Sequence, residues 1–314
     1  MDDSIRTETV HFDSTNGNTR IRGIIWWPDD APKRGVVQLV HGMAEHIMRY
    51  DDFARFLASK DFVVCGHDHI GHGESVRDRG EWGHIPTKGG RDILVGDVGR
   101  MRALIRERVD SSLPHFLFGH SMGSFVVRAY IADCGQGLAG AIICGTGHIA
   151  GAMSAGGNSL AKIISTVRGE TYVSKLLGNL SVGAYAKAIE NARTPLDWLS
   201  YNKENVDAYI ADDSCGFAFS AGGNATLTAL TGEVCNPKCF ARVPHNLPLL
   251  FIAGDGDPVG DMGKGVRTAA QMARDAGSTD VVCTIYEHMR HEILNELDHQ
   301  RVYDDVLAWI EERI

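Results

Sequence analysis

A single serine between two glycines, Gly119-His120-Ser121-Met122-Gly123, has the G-x-S-x-G spacing of a nucleophile elbow. The apolar run His115-Phe116-Leu117-Phe118 precedes it, and Phe125-Val126-Val127-Arg128-Ala129-Tyr130-Ile131 follows. This context predicts a buried strand that turns sharply into a buried helix. Such a turn holds the serine in a strained backbone geometry, and glycines two residues to either side remove the Cβ atoms that would clash. The hydroxyl then projects above the sheet, and the new helix aims its free N–H groups at the reacting centre. A serine hydroxyl is a poor nucleophile at neutral pH. It needs a histidine to take its proton and a carboxylate to orient the imidazole. With an elbow serine the chain order is serine, acid, histidine. Gly254-Asp255-Gly256-Asp257-Pro258-Val259 offers two acids after one apolar run, and Glu287-His288-Met289-Arg290-His291-Glu292 offers two histidines after the last. The chain holds 14 His, so only position after the final strand lifts His288 and His291 above the rest. Spacing alone does not separate Asp255 from Asp257, or His288 from His291.

These side chains need a frame. Short apolar runs at 35–40, 62–65, 116–118, 141–144, 247–253 and 281–286 read as strands. Their apolarity is continuous rather than alternating, which predicts a mostly parallel sheet covered on both faces. Helical stripes lie between them: Phe53, Phe56 and Leu57 within 50–59; Leu94, Val98, Met101 and Ile105 within 93–109; Val302, Val306, Trp309 and Ile310 at the end. Alternating strands and helices give an α/β fold with right-handed crossovers. Thr7–Asp13 and Arg20–Trp27 flank a Ser-Thr-Asn-Gly-Asn turn and read as an antiparallel hairpin at the sheet's edge. From about Gly145 to Arg242 no core strand is expected. Nearly a hundred residues are too many for a loop, so the chain divides into a first core part (1–145), a helical cap insertion (146–242) and a second core part (243–314). The cap carries Trp198, Tyr201, Tyr209, Phe217 and Phe219, one stripe of Leu160, Ile163, Ile164 and Val167, and a second helical stretch within Tyr172–Leu180.

Composition excludes several classes. A net charge of −9 with no basic block argues against nucleic-acid binding. No apolar run reaches the roughly 20 residues of a membrane span, and the start MDDSIRTETV is unlike a signal peptide. The seven Cys are an odd number without framework spacing, several of them inside apolar runs, as expected of free thiols in a reducing cytoplasm. Cys235-x-x-x-Cys239 lacks the second Cys/His pair of a zinc finger. His67-Asp68-His69-Ile70-Gly71-His72 places three histidines and an aspartate within six residues, a composition able to hold zinc. Its order differs from H-x-H-x-D-H, and a metal there explains neither the elbow nor the C-terminal histidines. No metal and no cofactor are therefore expected. All three triad positions are filled, which argues against a non-catalytic binding module.

The residues also carry a family likeness. His41-Gly42-Met43-Ala44-Glu45-His46, followed by Tyr50, resembles the H-G-x-x-E-H…R-Y stretch of the monoacylglycerol lipase/lysophospholipase group of α/β-hydrolases. Asp68 to Ser75 resembles its D-x-R-G-H-G-x-S, Gly119 to Gly123 its G-H-S-M-G, Gly254 to Val259 its G-x-x-D-x-V, and Arg290-His291-Glu292 its x-H-E. The matches run in order over nearly the whole chain outside the insertion. The resemblance implies an α/β-hydrolase fold, Ser121 as nucleophile, Asp257 as acid and His291 as base. It implies an oxyanion hole made by the backbone N–H groups of Met43 and Met122. It also implies a small acyl-ester substrate of monoacylglycerol or lysophospholipid type. Ser124 stands where the family often has glycine, a small change on the helix's first turn. His69-Ile70 departs from the family's loop and is expected to reshape a pocket wall. The same triad chemistry serves thioesters, peptides and amides, and proline iminopeptidases and carbon–carbon bond hydrolases share parts of the signature. The greasy cap favours an acyl ester. Its stripe, with Lys162 and Arg168 beside it, suits packing on the core or contact with a membrane surface. Acyl length and oligomeric state are not readable.

Overall fold

The computed structural model describes residues 5–29 and 33–314; the first four residues of the acidic start lie outside these. Eight strands form one sheet: β1 (Arg6–Asp13), β2 (Arg20–Trp27), β3 (Gly35–Val40), β4 (Phe62–His67), β5 (His115–His120), β6 (Gly140–Cys144), β7 (Leu249–Gly254) and β8 (Val281–Tyr286). Their spatial order is β1-β2-β4-β3-β5-β6-β7-β8. The hairpin β1–β2 joins β4 antiparallel, and every pairing from β4 to β8 is parallel.

The unbroken apolar runs follow from helices on both faces. Val37, Leu39, Phe116, Phe118, Ile142 and Ile252 point to one side. There they pack on Phe53 and Leu57 of α1 (Asp51–Ala58) and on Val302, Val306, Trp309 and Ile310 of α11 (His299–Glu311). Their neighbours Leu117, Ile143, Leu249 and Phe251 point to the other. They meet α2 (Gly90–Arg106), α3 (Met122–Cys134) and α10 (Lys264–Asp275). Successive side chains of a strand alternate faces, so a strand buried on both is predominantly apolar; the buried polar Gln38 of β3 is satisfied by donating to the Val98 carbonyl (2.9 Å) and by His115 Nε2 of β5 at 3.1 Å. β8 is the exception. As the last strand of the sheet it is only half buried, and Val282 is exposed. The second helix begins earlier than its apolar stripe predicts, because Gly89 turns into left-handed backbone (φ 76°) just before it.

Between β6 and β7 lie only helices: α4 (Gly151–Arg168), α5 (Lys175–Leu180), α6 (Val182–Ala186), α7 (Lys203–Ala211), α8 (Ala221–Val234) and α9 (Pro237–Phe240), with a single bridge from Val173 to Ser220. The stripe on α4 is split. Leu160 and Ile164 pack beside Ala161 against Leu177, Ala221 and Ala225, whereas Ile163 and Val167 are 61% and 73% exposed. Core packing therefore does not account for the outer half of that stripe. The helix α8, AGGNATLTALTGEV, has no legible stripe because it packs on α4 on one side and on α2 and α3 on the other, with Ala221–Thr226 buried throughout; a helix covered on opposite sides shows little amphipathic period.

The insertion leaves and re-enters the core at one point. Arg128 of α3, wholly buried, donates from Nη1 to Thr146 Oγ1 (3.1 Å) and the Gly147 carbonyl (3.0 Å), and from Nη2 to the Val234 carbonyl (2.6 Å).

Candidate active site

Ser121 stands between β5 and α3 with φ 53° and ψ −120°, a left-handed φ that costs a non-glycine residue about 1–3 kcal/mol. The two flanking glycines make that turn possible. A Cβ on Gly123 would sit 2.0 Å from the Val40 carbonyl oxygen and 2.5 Å from that of His41, and one on Gly119 would sit 2.5 Å from the Gly123 carbonyl oxygen. The start of α3 is thus pressed against the end of β3 and the loop that follows. Ser124 Oγ donates to the Ser121 carbonyl at 2.6 Å, so serine in place of glycine there tightens the first turn.

The loops after β7 and β8 meet above this turn. Asp257 Oδ2 lies 2.9 Å from His291 Nδ1, both side chains buried. The Val259 N–H donates to Asp257 Oδ1 at 2.8 Å, which fixes the carboxylate from its other side. The alternatives fall elsewhere: the side chains of Asp255 and His288 are exposed, and His288 sits at φ 58° on the outer turn. Ser121 and His291 line one cavity of about 210 Å³, together with Gly42, Met43 and Met122. Among the described residues the Ser121 hydroxyl makes no side-chain hydrogen bond; bonds of this kind tighten when substrate arrives. The backbone N–H groups of Met43 and Met122 also have no acceptor among the described residues. Buried amides are nearly always paired, so two unpaired ones bordering the cavity beside a serine make a ready anion site.

The loop carrying Met43 is stitched from behind by histidines. His41 Nδ1 donates to the Gly42 carbonyl (2.8 Å), which leaves Nε2 to accept the His69 N–H (2.9 Å); His69 Nε2 donates to the His41 carbonyl (3.2 Å). Burial holds His41 and His69 well below the usual histidine range, and holds His67 and His72 down to about 4. These imidazoles are neutral structural wedges. The expectation that His69-Ile70 reshapes a pocket wall is corrected: neither borders the cavity, because both are buried behind the Met43 loop.

A second polar layer supports His291. His120 Nε2 lies 3.1 Å from the His291 carbonyl, and a carbonyl only accepts, so Nε2 carries a proton. Tyr50 Oη donates to Glu45 Oε1 at 2.8 Å and lies 2.9 Å from His120 Nδ1. Burial opposes charge on both partners, but the mutual hydrogen bond outweighs it. The Glu45 carboxyl is pulled down to about 2 and the His120 imidazole is raised. Arg49 pairs with Glu45 (3.3 Å) and with Glu292 (2.6 Å), the residue after His291. Glu292 also accepts from Asn205 of α7 at 2.6 Å.

The roof belongs to the insertion. Tyr185, Leu196, Trp198, Phe217, Phe219 and Leu227 border the cavity from above, and the Trp198 ring lies 5.1 Å from the His291 ring. The lining is predominantly apolar. Sequence reasoning assigned no role to Arg49, His120, Glu292 or Trp198. The first three stand inside the motifs quoted above, but nothing in their spacing announces a contact.

Among the described residues the His67–His72 stretch does not gather into a metal-ligating group; the one group within 4.8 Å is His46, Asp212 and Cys215. No helix is long and apolar enough to cross a membrane among the described residues.

A parallel sheet with an antiparallel hairpin at one edge, an elbow serine after the central strand and a roofed apolar cavity define an α/β-hydrolase. Comparison with known proteins extends this. The chain is 29% identical over 310 residues to a monoacylglycerol lipase of Mycolicibacterium smegmatis, covering 97% of each. It is 28% identical to the human monoglyceride lipase, covering 92% of this chain and 86% of that one. A thermostable carboxyl esterase from Bacillus coagulans, solved with glycerol, superposes with a TM-score of 0.91 at 30% identity over 98% of both chains. The protein is a carboxylic-ester hydrolase. The family model described as serine aminopeptidase, S33, matches residues 31–298, and the chain belongs to that family.

Proposed function

We propose that the protein hydrolyses monoacylglycerols or similar single-chain lipid esters through an acyl-enzyme on Ser121. His291 takes the Ser121 proton as Oγ attacks the ester carbonyl. The oxyanion is held by the Met43 and Met122 N–H groups, each donor of this kind being worth roughly 2.7–4 kcal/mol in the transition state. His291 then protonates the leaving alcohol. Water, activated by the same imidazole, releases the fatty acid, and Asp257 holds the ring through Nδ1 throughout. The observation that carries this reading is the shared cavity: an elbow serine, two unpaired amides and a carboxylate-bound imidazole border one apolar space. The monoacylglycerol lipases among the relatives support the head group, and the aromatic roof supports an acyl chain over an aminoacyl amide.

Ser121→Ala tests it. Turnover of monoacylglycerol and of a p-nitrophenyl ester is expected to fall by about 10⁶-fold, the scale for losing such a nucleophile, with the unfolding temperature unchanged; retained turnover ends the account. Preference for aminoacyl amides over both esters would shift the reading to a peptidase.

We infer that the cap meets lipid through the exposed apolar residues Met153, Ile163 and Val167 of α4 and Leu176 and Leu180 of α5. An amphipathic surface of this kind lies in the headgroup boundary. Co-sedimentation with phosphatidylglycerol vesicles is expected, and Ile163→Asp with Val167→Asp should abolish it; equal binding by the double variant would remove the inference. We read the seven unpaired cysteines as those of a cytoplasmic protein.

A further inference from the structure

A different cluster lies at the seam between the core and the insertion. A ring nitrogen of His46, a carboxylate oxygen of Asp212 and Cys215 Sγ all lie within 4.8 Å of one another. His46 follows the Gly42–Glu45 turn, three residues after Met43. Asp212 ends α7, and Cys215 comes three residues later. The three come from chain segments more than 160 positions apart, and the His46–Asp212 contact is already made, at 2.8 Å.

The cluster has the features of a coordinating site. Asp212 is held in place from both carboxylate oxygens. Its Oδ1 accepts the Ser214 N–H (2.8 Å) and hydroxyl (2.5 Å), which fixes the carboxylate and turns Oδ2 toward His46. This is the outer-shell support that ligating carboxylates have. His46 and Asp212 border an open crevice of about 280 Å³ that gives a cation access from solvent; its other carboxylates, Glu74 and Asp213, are already paired with Arg22 (3.5 Å) and Arg79 (2.7 Å) and leave Asp212 as the acid facing His46. Thiolate, imidazole and carboxylate together select zinc-like ions over magnesium or calcium. Two ligands on one tetrahedral zinc lie about 3.5 Å apart, so only small side-chain adjustments are required.

We propose that His46, Asp212 and Cys215 bind a divalent ion of the zinc–cadmium class, with water as fourth ligand, and that this ion locks the insertion onto the loop bearing Met43. Binding forms the metal–nitrogen, metal–oxygen and metal–sulfur bonds. It releases the thiol proton to solvent, and the ion takes the place of the hydrogen between His46 and Asp212. The seam is already a point of attachment: the Ala44 carbonyl accepts both the Tyr209 hydroxyl (2.7 Å) and the Gly216 N–H (2.9 Å). An ion two residues from Ala44 adds a coordinate tie to those hydrogen bonds. It thereby hinders any opening of the roof that substrate entry needs. The site is separate from the Asp257–His291 pair.

The test is a titration of the full-length chain, stripped of metal, with Cd²⁺ and Co²⁺. Thiolate-to-metal charge-transfer absorption and calorimetry are followed, with ester turnover read in parallel. One ion per chain is expected, with a charge-transfer band and slowed turnover. Outer-shell changes alone weaken metal binding about 10–100-fold, so Cys215→Ser should lose the band and at least about tenfold in affinity, and His46→Gln should lose a similar factor. His291→Ala should retain both band and affinity. A band that persists in Cys215→Ser, equal affinity in wild type and both variants, or loss of binding in His291→Ala would overturn the proposal.

Discussion

Gly123→Ala puts the geometry of the elbow to a quantitative test. An added Cβ would lie 2.0 Å from the Val40 carbonyl oxygen, and Cβ atoms essentially never approach other atoms within 3.0 Å. The helix α3 must therefore retreat from β3 by about 1 Å, the difference of those two distances. The obstruction is backbone on both sides, so no side-chain rotation relieves it. The same helix carries the Met122 N–H at its first residue and Ser121 just before it, whereas the Met43 N–H belongs to the loop from which it retreats. The two proposed oxyanion donors would then part by a comparable amount. A misplacement of 1 Å at a reacting centre costs about 10²-fold in rate, equivalent to about 2.7 kcal/mol of transition-state stabilisation. The folded state suffers separately, by the 1–3 kcal/mol typical of overpacking. The expected outcome is kcat/KM reduced by about 100-fold or more on a short p-nitrophenyl ester, in a protein that still folds, with a lowered unfolding temperature. Fluorophosphonate labelling, which also passes through an oxyanion, should slow in parallel. Wild-type kcat/KM in a folded Gly123→Ala would refute the argument that close contact between α3 and the Met43 loop aligns the donors.

Two further outcomes follow from the surrounding side chains. Asp257→Asn should lower kcat by about 10⁴-fold, as expected when the imidazole loses the partner that fixes its tautomer, whereas the exposed Asp255→Asn should leave it near wild type; the reverse pattern would move the acid to position 255. Glu45 has its folded pKa pulled down from 4.5 to about 2, so its contribution to stability is fully present above about 4.5 and is lost as pH falls toward 2. Chemical denaturation between pH 5 and 2.5 should show a steeper loss in the wild type than in Glu45→Gln, and parallel slopes would refute the depressed carboxyl.

What could be read from the chain divides along physical lines. The strands were legible because burial on both faces favours apolar residues at nearly every position, as in Val36-Val37 or Phe116-Leu117-Phe118, with Gln38 and His115 tolerated only as a hydrogen-bonded pair. The half-buried β8 passes the same filter because Val281, Val282, Cys283, Ile285 and Tyr286 keep it largely apolar at the sheet's edge. The helix α8 was illegible for a related reason: contact on opposite sides removes the periodicity that betrays a surface helix. At the site, Ser121 was marked by its glycines, since backbone contact constrains residue type locally. The choice between Asp257 and Asp255 was beyond spacing, because two residues along one loop differ in burial only once the loop after β8 closes over them. Trp198 was beyond it altogether: its place against His291 depends on how the insertion folds back. Arg49 and Glu292 are separated by more than 240 positions, and their ion pair exists only in three dimensions.

The Arg128 guanidinium has a consequence for how such proteins diversify. One cation, fixed inside the core on α3, grips the outgoing chain at 146–147 and the returning chain at 234. Everything between is a closed excursion whose two ends are anchored within a few ångströms of each other. Residues can be added, deleted or rearranged along that excursion without altering where it departs or returns, so the roof over the cavity is free to change shape while the floor stays in register. Grafting a roof from one relative to another should therefore succeed when the cut points lie outside this grip, and fail when they fall inside it.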